Sequence, residues 1–166
     1  MLYFVQTTRF YPNNFEKLGF KKIEDDLFMY REDESLWKKK YLLDLGYGKE
    51  IGLVRTPELT FNQLISLVLI EYSGNVCEET YNFWGALSTL VDNYCFDFLE
   101  YIIKTFSKND FLTKHKFVYD YLNSELNLND NFIRKLADKR VIDCCHKWKQ
   151  YIKTGDSSKP LKKWVF

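Results

Sequence analysis

The stretch VRTPELTFNQLISLVLIEYSG, residues 54–74, decides the fold. Up to Thr56 apolar side chains alternate with the period of two that strands require, and from Pro57 onward they recur every three or four residues, as a helix requires. Leu59-Thr60-x-x-Gln63-Leu64 has the layout of a capping box, with Thr60 as cap, Gln63 as return partner and Leu59 facing Leu64 as hydrophobic staple. Phe61, Leu64, Ile65, Val68, Leu69 and Tyr72 then fall on one helical face, and Gly74 closes the helix.

Upstream, LYFVQ (2–6) is rich in strand formers, and PNNFEKLG (12–19) reads as one short helix that opens on proline and stops at Gly19. FKKIEDDLFMYRE (20–32) reads as a hairpin turning at Asp25-Asp26, and KKYLLDLGYGKEIGLVRT (39–56) as a second turning around Gly46-Tyr47-Gly48. An antiparallel sheet of three to five strands follows.

Downstream, Asn75 with Glu78 starts a helix whose apolar stripe is expected at Cys77, Tyr81, Trp84, Leu87 and Val91, continuing or breaking at Asp92-Asn93. Ser107 and Asp110 signal another, with Phe111, His115, Val118, Leu122 and Leu126 inward. After the NLND loop (127–130), Asn129 or Asp130 caps a last long helix reaching about Lys153. The expected fold is therefore α+β: a small N-terminal antiparallel sheet with one short helix, then a C-terminal bundle of four or five helices. The β-rich lobe is 1–56 and the helical lobe 57–166, with one continuous core.

Composition agrees. The chain has 166 residues, 46% of them hydrophobic, but only 7 Gly and 3 Pro, too few for the turns of a sandwich or barrel. Its 19 lysines against 5 arginines, 2 alanines and 11 asparagines favour A/T-rich codons and point to an A/T-rich genome, such as that of a low-GC bacterium, its phages and plasmids, or a virus. The opening MLYFVQTTRF lacks a basic start, a sustained apolar stretch and a small-residue cleavage site, and the longest apolar run, LISLVLI (64–70), is far short of the roughly 20 residues of a membrane span. A cytoplasmic protein is expected, of a bacterium or of an infected host cell, with no membrane partner and with cysteines 77, 95, 144 and 145 reduced.

VIDCCHKWK (141–149) places two cysteines beside one of the two histidines. On a helix, at about 100° per residue, Cys144 lies on the stripe of Ile133, Ala137, Val141, Trp148 and Ile152, Cys145 on its edge, and His146 about 200° from Cys144. Three consecutive helical residues do not converge on one ion, so two packed thiols and a solvent-side histidine are expected, with no metal and no cofactor. His115, on an apolar stripe, is most simply a packed residue, its functional reading being a base or a partner for Cys77 or Cys95. GYGKEIG (46–52) lacks the spacing of a phosphate loop and reads as a turn. EDD (24–26) and EDE (32–34) suit a cation or mimic a phosphate backbone, though solvated charge is the commoner meaning. Trp37, beside KKK (38–40), reads as an amphipathic strand residue.

Charge is distributed unevenly. Residues 1–130 hold 14 Lys and Arg against 20 Asp and Glu, a net of −6, and residues 131–166 hold 10 against 3, a net of +7. Lys135, Lys139, His146, Lys149 and Lys153 recur at near-helical spacing away from the Val141/Trp148 face, and Arg140, Lys162, Lys163 and Trp164 extend the patch. Such a patch attracts phosphates or acidic protein surfaces.

Three functions are compatible. The first is a non-catalytic interaction protein, a phage or mobile-element accessory that binds and blocks a nucleic-acid-handling protein or nucleoprotein, in the manner of a defence-system inhibitor such as a CRISPR inhibitor. The second is a regulator that binds nucleic acid directly through Lys135, Lys139, Arg140, Lys149, Lys153, Lys162, Lys163 and Trp164. The third is a small enzyme using His115 or a cysteine. The absence of nucleophile-elbow, HExxH and Walker motifs favours the first two, in which there is no catalytic residue.

Overall fold

The computed structural model describes residues 1–6, 14–44, 49–73, 77–129, 133, 136 and 138–154, with backbone alone at 6, 41–44, 49, 50, 77 and 78. The fold is α+β, a five-stranded antiparallel sheet followed by helices. Strands β1 (Phe4–Gln6), β2 (Phe20–Lys22), β3 (Leu27–Tyr30), β4 (Leu36–Asp44) and β5 (Lys49–Arg55) lie in the order β1-β5-β4-β3-β2. Helices α1 (Phe61–Ser66), continued by a π-helical turn over Leu67–Glu71, α2 (Cys77–Thr105), α3 (Lys108–Lys114), α4 (Lys116–Leu126) and α5 (Lys139–Thr154) follow. None of the described helices is long and apolar enough to cross a membrane.

The chain forms two compact units, Met1–Asn93 and Tyr94–Phe166. The boundary falls inside α2, where Tyr94 leaves helical geometry (φ −130°, ψ 23°) just after the Asp92-Asn93 pair.

In the first unit, both hairpins form, the first turning over residues 23–26 with Phe20 opposite Tyr30. The second pairs Trp37 with Arg55 and Lys38 with Val54, and its Gly46-Tyr47-Gly48 turn lies outside the described residues. Because paired residues share a face and neighbours alternate, Val5, Phe20, Phe28, Trp37 and Leu53 line one side of the sheet. Phe15, from the short helix, is buried against them. That helix is a single 3-10 turn (Phe15–Leu18), ended by Gly19 at φ 91°, a conformation costly for other residues. Trp37 is fully buried and its Nε1 donates to Ser35 Oγ at 2.7 Å.

Phe4 and Val54 point to the other face, which α1 and the first half of α2 cover. Gln63 Oε1 accepts from the Thr60 N–H at 3.0 Å, the return half of the capping box, and Leu64, Ile65, Leu67 and Val68 are buried. The buried face of α2 differs from the expected stripe. Asn82, Phe83, Ala86, Leu87, Ser88 and Leu90 are buried, while Tyr81, Trp84 and Val91 are half-buried and the Cys77 side chain lies outside the described residues. The helix is rotated because it must bring small and hydrogen-bonding residues against β1. Gly85 is needed there, since a Cβ at that position would lie 2.2 Å from Phe4 Cγ. Asn82 Oδ1 accepts from the N–H groups of Tyr3 (2.8 Å) and Phe4 (3.2 Å), and its Nδ2 donates to the Met1 carbonyl (2.8 Å).

In the second unit, Phe98, Leu99, Ile102, Phe111, Val118, Leu122 and Leu126 are buried. Ser107 caps α3 as expected, accepting from the Asp110 N–H at 3.2 Å. Two helices expected to run unbroken are interrupted. His115 (φ −130°, ψ 46°) separates α3 from α4, which lets its ring meet Phe106 and Phe111. The last helix starts at Lys139, not at Asn129 or Asp130, because Leu136 and Asp138 are non-helical and the Asp138 carboxylate accepts from the Arg140 N–H at 2.8 Å.

Replacing Asn82 by Ala leaves the buried Phe4 N–H and the part-buried Tyr3 N–H without this acceptor and is expected to cost about 2 kcal/mol in urea unfolding. Asn82→Asp keeps the Oδ1 acceptor but sets a buried carboxylate oxygen against the Met1 carbonyl, so it is also expected to be destabilised at pH 7 and to recover as the carboxyl protonates in acid. An Asn82→Ala variant as stable as wild type would show that the amide bonds are not what holds β1.

Candidate interaction surface

Helix α5 has two chemically opposite faces. Cys144, Cys145, Lys147, Trp148 and Tyr151 are buried, and Lys139, Asp143, His146 and Lys153 are exposed. At about 100° per residue, Lys139, His146, Lys149 and Lys153 fall within one sector opposite the Cys144/Trp148/Tyr151 side. Asp143 is the anionic residue on that face, and Lys149 is half-buried. Arg140 points about 100° away from Lys139; it is exposed, its Nε 3.9 Å from Asp138 Oδ1. Lys135, Lys162, Lys163 and Trp164 lie outside the described residues.

The buried face is turned from the one expected. Val141 is 40% exposed, and Tyr151 takes the inward place instead. Trp148 packs on Tyr119 and Tyr151 with ring centroids 5.4 and 5.6 Å away. The Tyr151 hydroxyl donates to the Phe106 carbonyl at 3.3 Å, and burial, with Tyr119 second, pushes its pKa up to about 12. Trp148 Nε1 is buried and finds no acceptor among the described residues. Lys108 Nζ reaches from α3 to the Ile152 carbonyl at 2.6 Å. The helix is thus anchored over its second half, beneath Lys149 and Lys153.

Lys147 was not expected inside. Its ammonium lies 3.0 Å from Glu100 Oε1 and 3.8 Å from the centre of the Phe96 ring, and its side chain is 4% exposed. The signal was present, since Lys147 sits between Cys144 and Tyr151 on the same helical side. It was hidden by the ordinary rule that lysines face water. Glu100 also accepts from Lys104 at 3.0 Å, and the bonds from Lys147 first and Lys104 second hold its carboxyl below the ordinary 4.5.

Cys144 and Cys145 are both buried and His146 is exposed, as the helical reading of VIDCCHKWK expects. His115 is half-buried between Phe106 (5.0 Å) and Phe111 (5.5 Å), and burial, helped by Lys114, lowers its pKa from the ordinary 6.5. In the first unit the acidic clusters divide. Asp25 and Asp26 are exposed, with Asp25 held by Lys22 at 2.9 Å, whereas Asp33 takes the Ser35 hydroxyl and Arg55 Nη2 at 2.9 Å, tying the β3–β4 turn to β5. No group of three or more potential metal ligands occurs among the described residues. A shallow cleft of about 310 Å³ is lined by Phe4, Lys40, Glu58, Ser88 and Asp92, with Lys40 bonded to Glu58.

No family model matches the chain, and no curated protein or solved structure is found to be similar to it.

Two variants test the Lys147 environment. Glu100→Ala strands a buried ammonium and is expected to cost about 2–4 kcal/mol, whereas Lys147→Met leaves the partly exposed Glu100 with Lys104 and water and is expected to cost under about 1 kcal/mol. Because the Glu100 carboxyl is depressed in the folded protein, its stabilisation is complete above its ordinary pKa and is lost as pH falls through the folded value. The difference between wild type and Glu100→Ala, measured by urea unfolding from pH 7 to pH 3, should therefore shrink toward acid.

Proposed function

We propose that the protein acts by binding, not by catalysis, and that the solvent face of α5 is the surface with which it occupies a nucleic-acid-handling protein or nucleoprotein. The observation that carries this reading is the placement of Lys139, Lys149 and Lys153, with His146, on one side of a helix whose other side is anchored by Trp148, Tyr151 and the Lys147–Glu100 pair. Long-range charge favours it too. The second unit carries 14 Lys and Arg against 9 Asp and Glu, a net of +5, and the first carries 10 against 14, a net of −4. A surface of that kind steers encounters with acidic partners and speeds association.

Lysine dominates the face. A lysine is a compact point charge, whereas reading base edges relies on forked arginine and amide groups. The face therefore suits recognition of charge density on a protein or nucleoprotein more than recognition of a base sequence. The A/T-rich composition fits an accessory gene of a phage or mobile element, a setting in which proteins of this size block defence machinery, CRISPR effectors included.

The test uses the full chain as bait in lysate of a low-GC bacterium, with and without nuclease, beside the triple variant Lys139→Glu, Lys149→Glu, Lys153→Glu. Retention of a nucleic-acid-handling protein after nuclease, weakened roughly tenfold or more in the variant, is the expected result. Loss of all binding on nuclease treatment would instead indicate direct nucleic-acid contact, with a salt slope of about 0.9 per phosphate neutralised. Equal capture by wild type and variant would remove the α5 face from consideration.

A further inference from the structure

The cleft of about 310 Å³ lies in the first unit, between the sheet and α2. One glycine helps to open it. Lys40 of β4 stands opposite Gly52 of β5, and paired residues point to the same face of the sheet. Gly52 has no side chain, so β5 places nothing beside the Lys40 stem, and the next side chain on that face of the strand is Val54. The volume falls at the lower end of the range of small-molecule sites, about 300–1,000 Å³.

The lining carries both signs of charge together with apolar surface. On the sheet side stands Lys40, whose ammonium has three donors, one of them taken by Glu58. On the helix side α2 presents the Asp92 carboxylate and the exposed Asn93 carboxamide, a group that both donates and accepts. Val54 and the half-buried Leu59 add apolar surface. Thr89 commits its hydroxyl to the Gly85 carbonyl at 2.8 Å and so meets the cleft as an apolar residue. A ligand of one sign finds a counter-charge on one side of such a cleft and its own sign on the other, whereas a zwitterion is matched at both ends.

We propose that this cleft binds a small zwitterion with an apolar side chain, of the chemical class of a free aliphatic α-amino acid. Its carboxylate meets Lys40, its ammonium meets Asp92 beside Asn93, and its side chain lies on Val54 and Leu59. The inference goes beyond the α5 surface and does not depend on it, since the cleft belongs to the first unit.

The full-length protein is titrated with leucine and followed by its amide NMR spectrum, beside two analogues of the same shape. Isoamylamine lacks the carboxylate, and isocaproate lacks the ammonium. Saturable shifts at Lys40, Val54, Thr89 and Asn93, half-complete at about 1 mM or below, are expected with leucine. Each analogue should bind roughly tenfold more weakly, the effect of losing one charge-assisted hydrogen bond. Lys40→Met should remove the advantage of leucine over isoamylamine and keep its advantage over isocaproate, and Asp92→Asn should do the reverse. A merely structural role for either side chain would weaken all three ligands alike. Should a variant fail to fold, the comparison of the three ligands on wild type decides alone. Leucine shifts that rise without saturating, or either analogue binding as tightly as leucine, would overturn the proposal.

Discussion

Asn82 is a polar residue at the centre of an apolar helix face, and the first unit is organised around it. Strand β1 is three residues long and lies at the edge of the sheet, paired with β5 on one side only. Its outward N–H groups would be left without partners under a covering helix, and burying them so costs more than any one apolar contact returns. The Asn82 carboxamide accepts from the N–H of Phe4 and from that of Tyr3, the residue before the strand, and donates back to the Met1 carbonyl. One helical turn away, Gly85 removes the side chain that would collide with Phe4. Together they set how close α2 comes to the strand and which of its faces turns inward, and the aromatic stack of Tyr72 on Phe83, with centroids 4.0 Å apart, packs around that choice.

The second unit solves a different problem, that of a helix with both a charged and an aromatic side. Helix α5 packs Trp148 against Tyr119 of α4 and against its own Tyr151, and it buries one of its own cations as well. Lys147 is tolerated inside because Glu100 supplies the counter-charge and Phe96 a polarisable face, while its methylene stem fills space between helices. The remaining cations of the helix are left to the solvent side. The same helix thereby acts as a structural wall and as a presented charge surface, and rigidity in the first role serves the second, since a fixed array of charges loses less freedom on binding.

Much of this was legible in the chain itself. The change from period two to period 3.6 after Thr56, the Gln63 return contact, the Gly19 stop and the Ser107 cap depend on neighbours within a few residues, and each is found where the local pattern puts it. The two packed cysteines and outward His146 follow from helical geometry alone. The faces of α2 and α5 were less legible. A stripe drawn through the most apolar residues selects Tyr81, Trp84 and Val141, yet amphipathic side chains sit comfortably at a boundary, and the true inward positions belong to Asn82, Gly85, Ser88 and Lys147. The breaks at His115 and Asp138 were missed for a related reason, because neither glycine nor proline marks them.

The sequence by itself determined the passage from strands to helices along the chain and the separation of positive from negative charge, since these rest on local propensity, periodicity and composition. Only the tertiary structure decided which polar residues are buried and which cations face water. Those outcomes depend on partners 44 to 81 positions away, such as Met1 for Asn82, Glu100 for Lys147 and Lys108 for the Ile152 carbonyl, and a buried polar group is stable only where folding has brought such a partner to it.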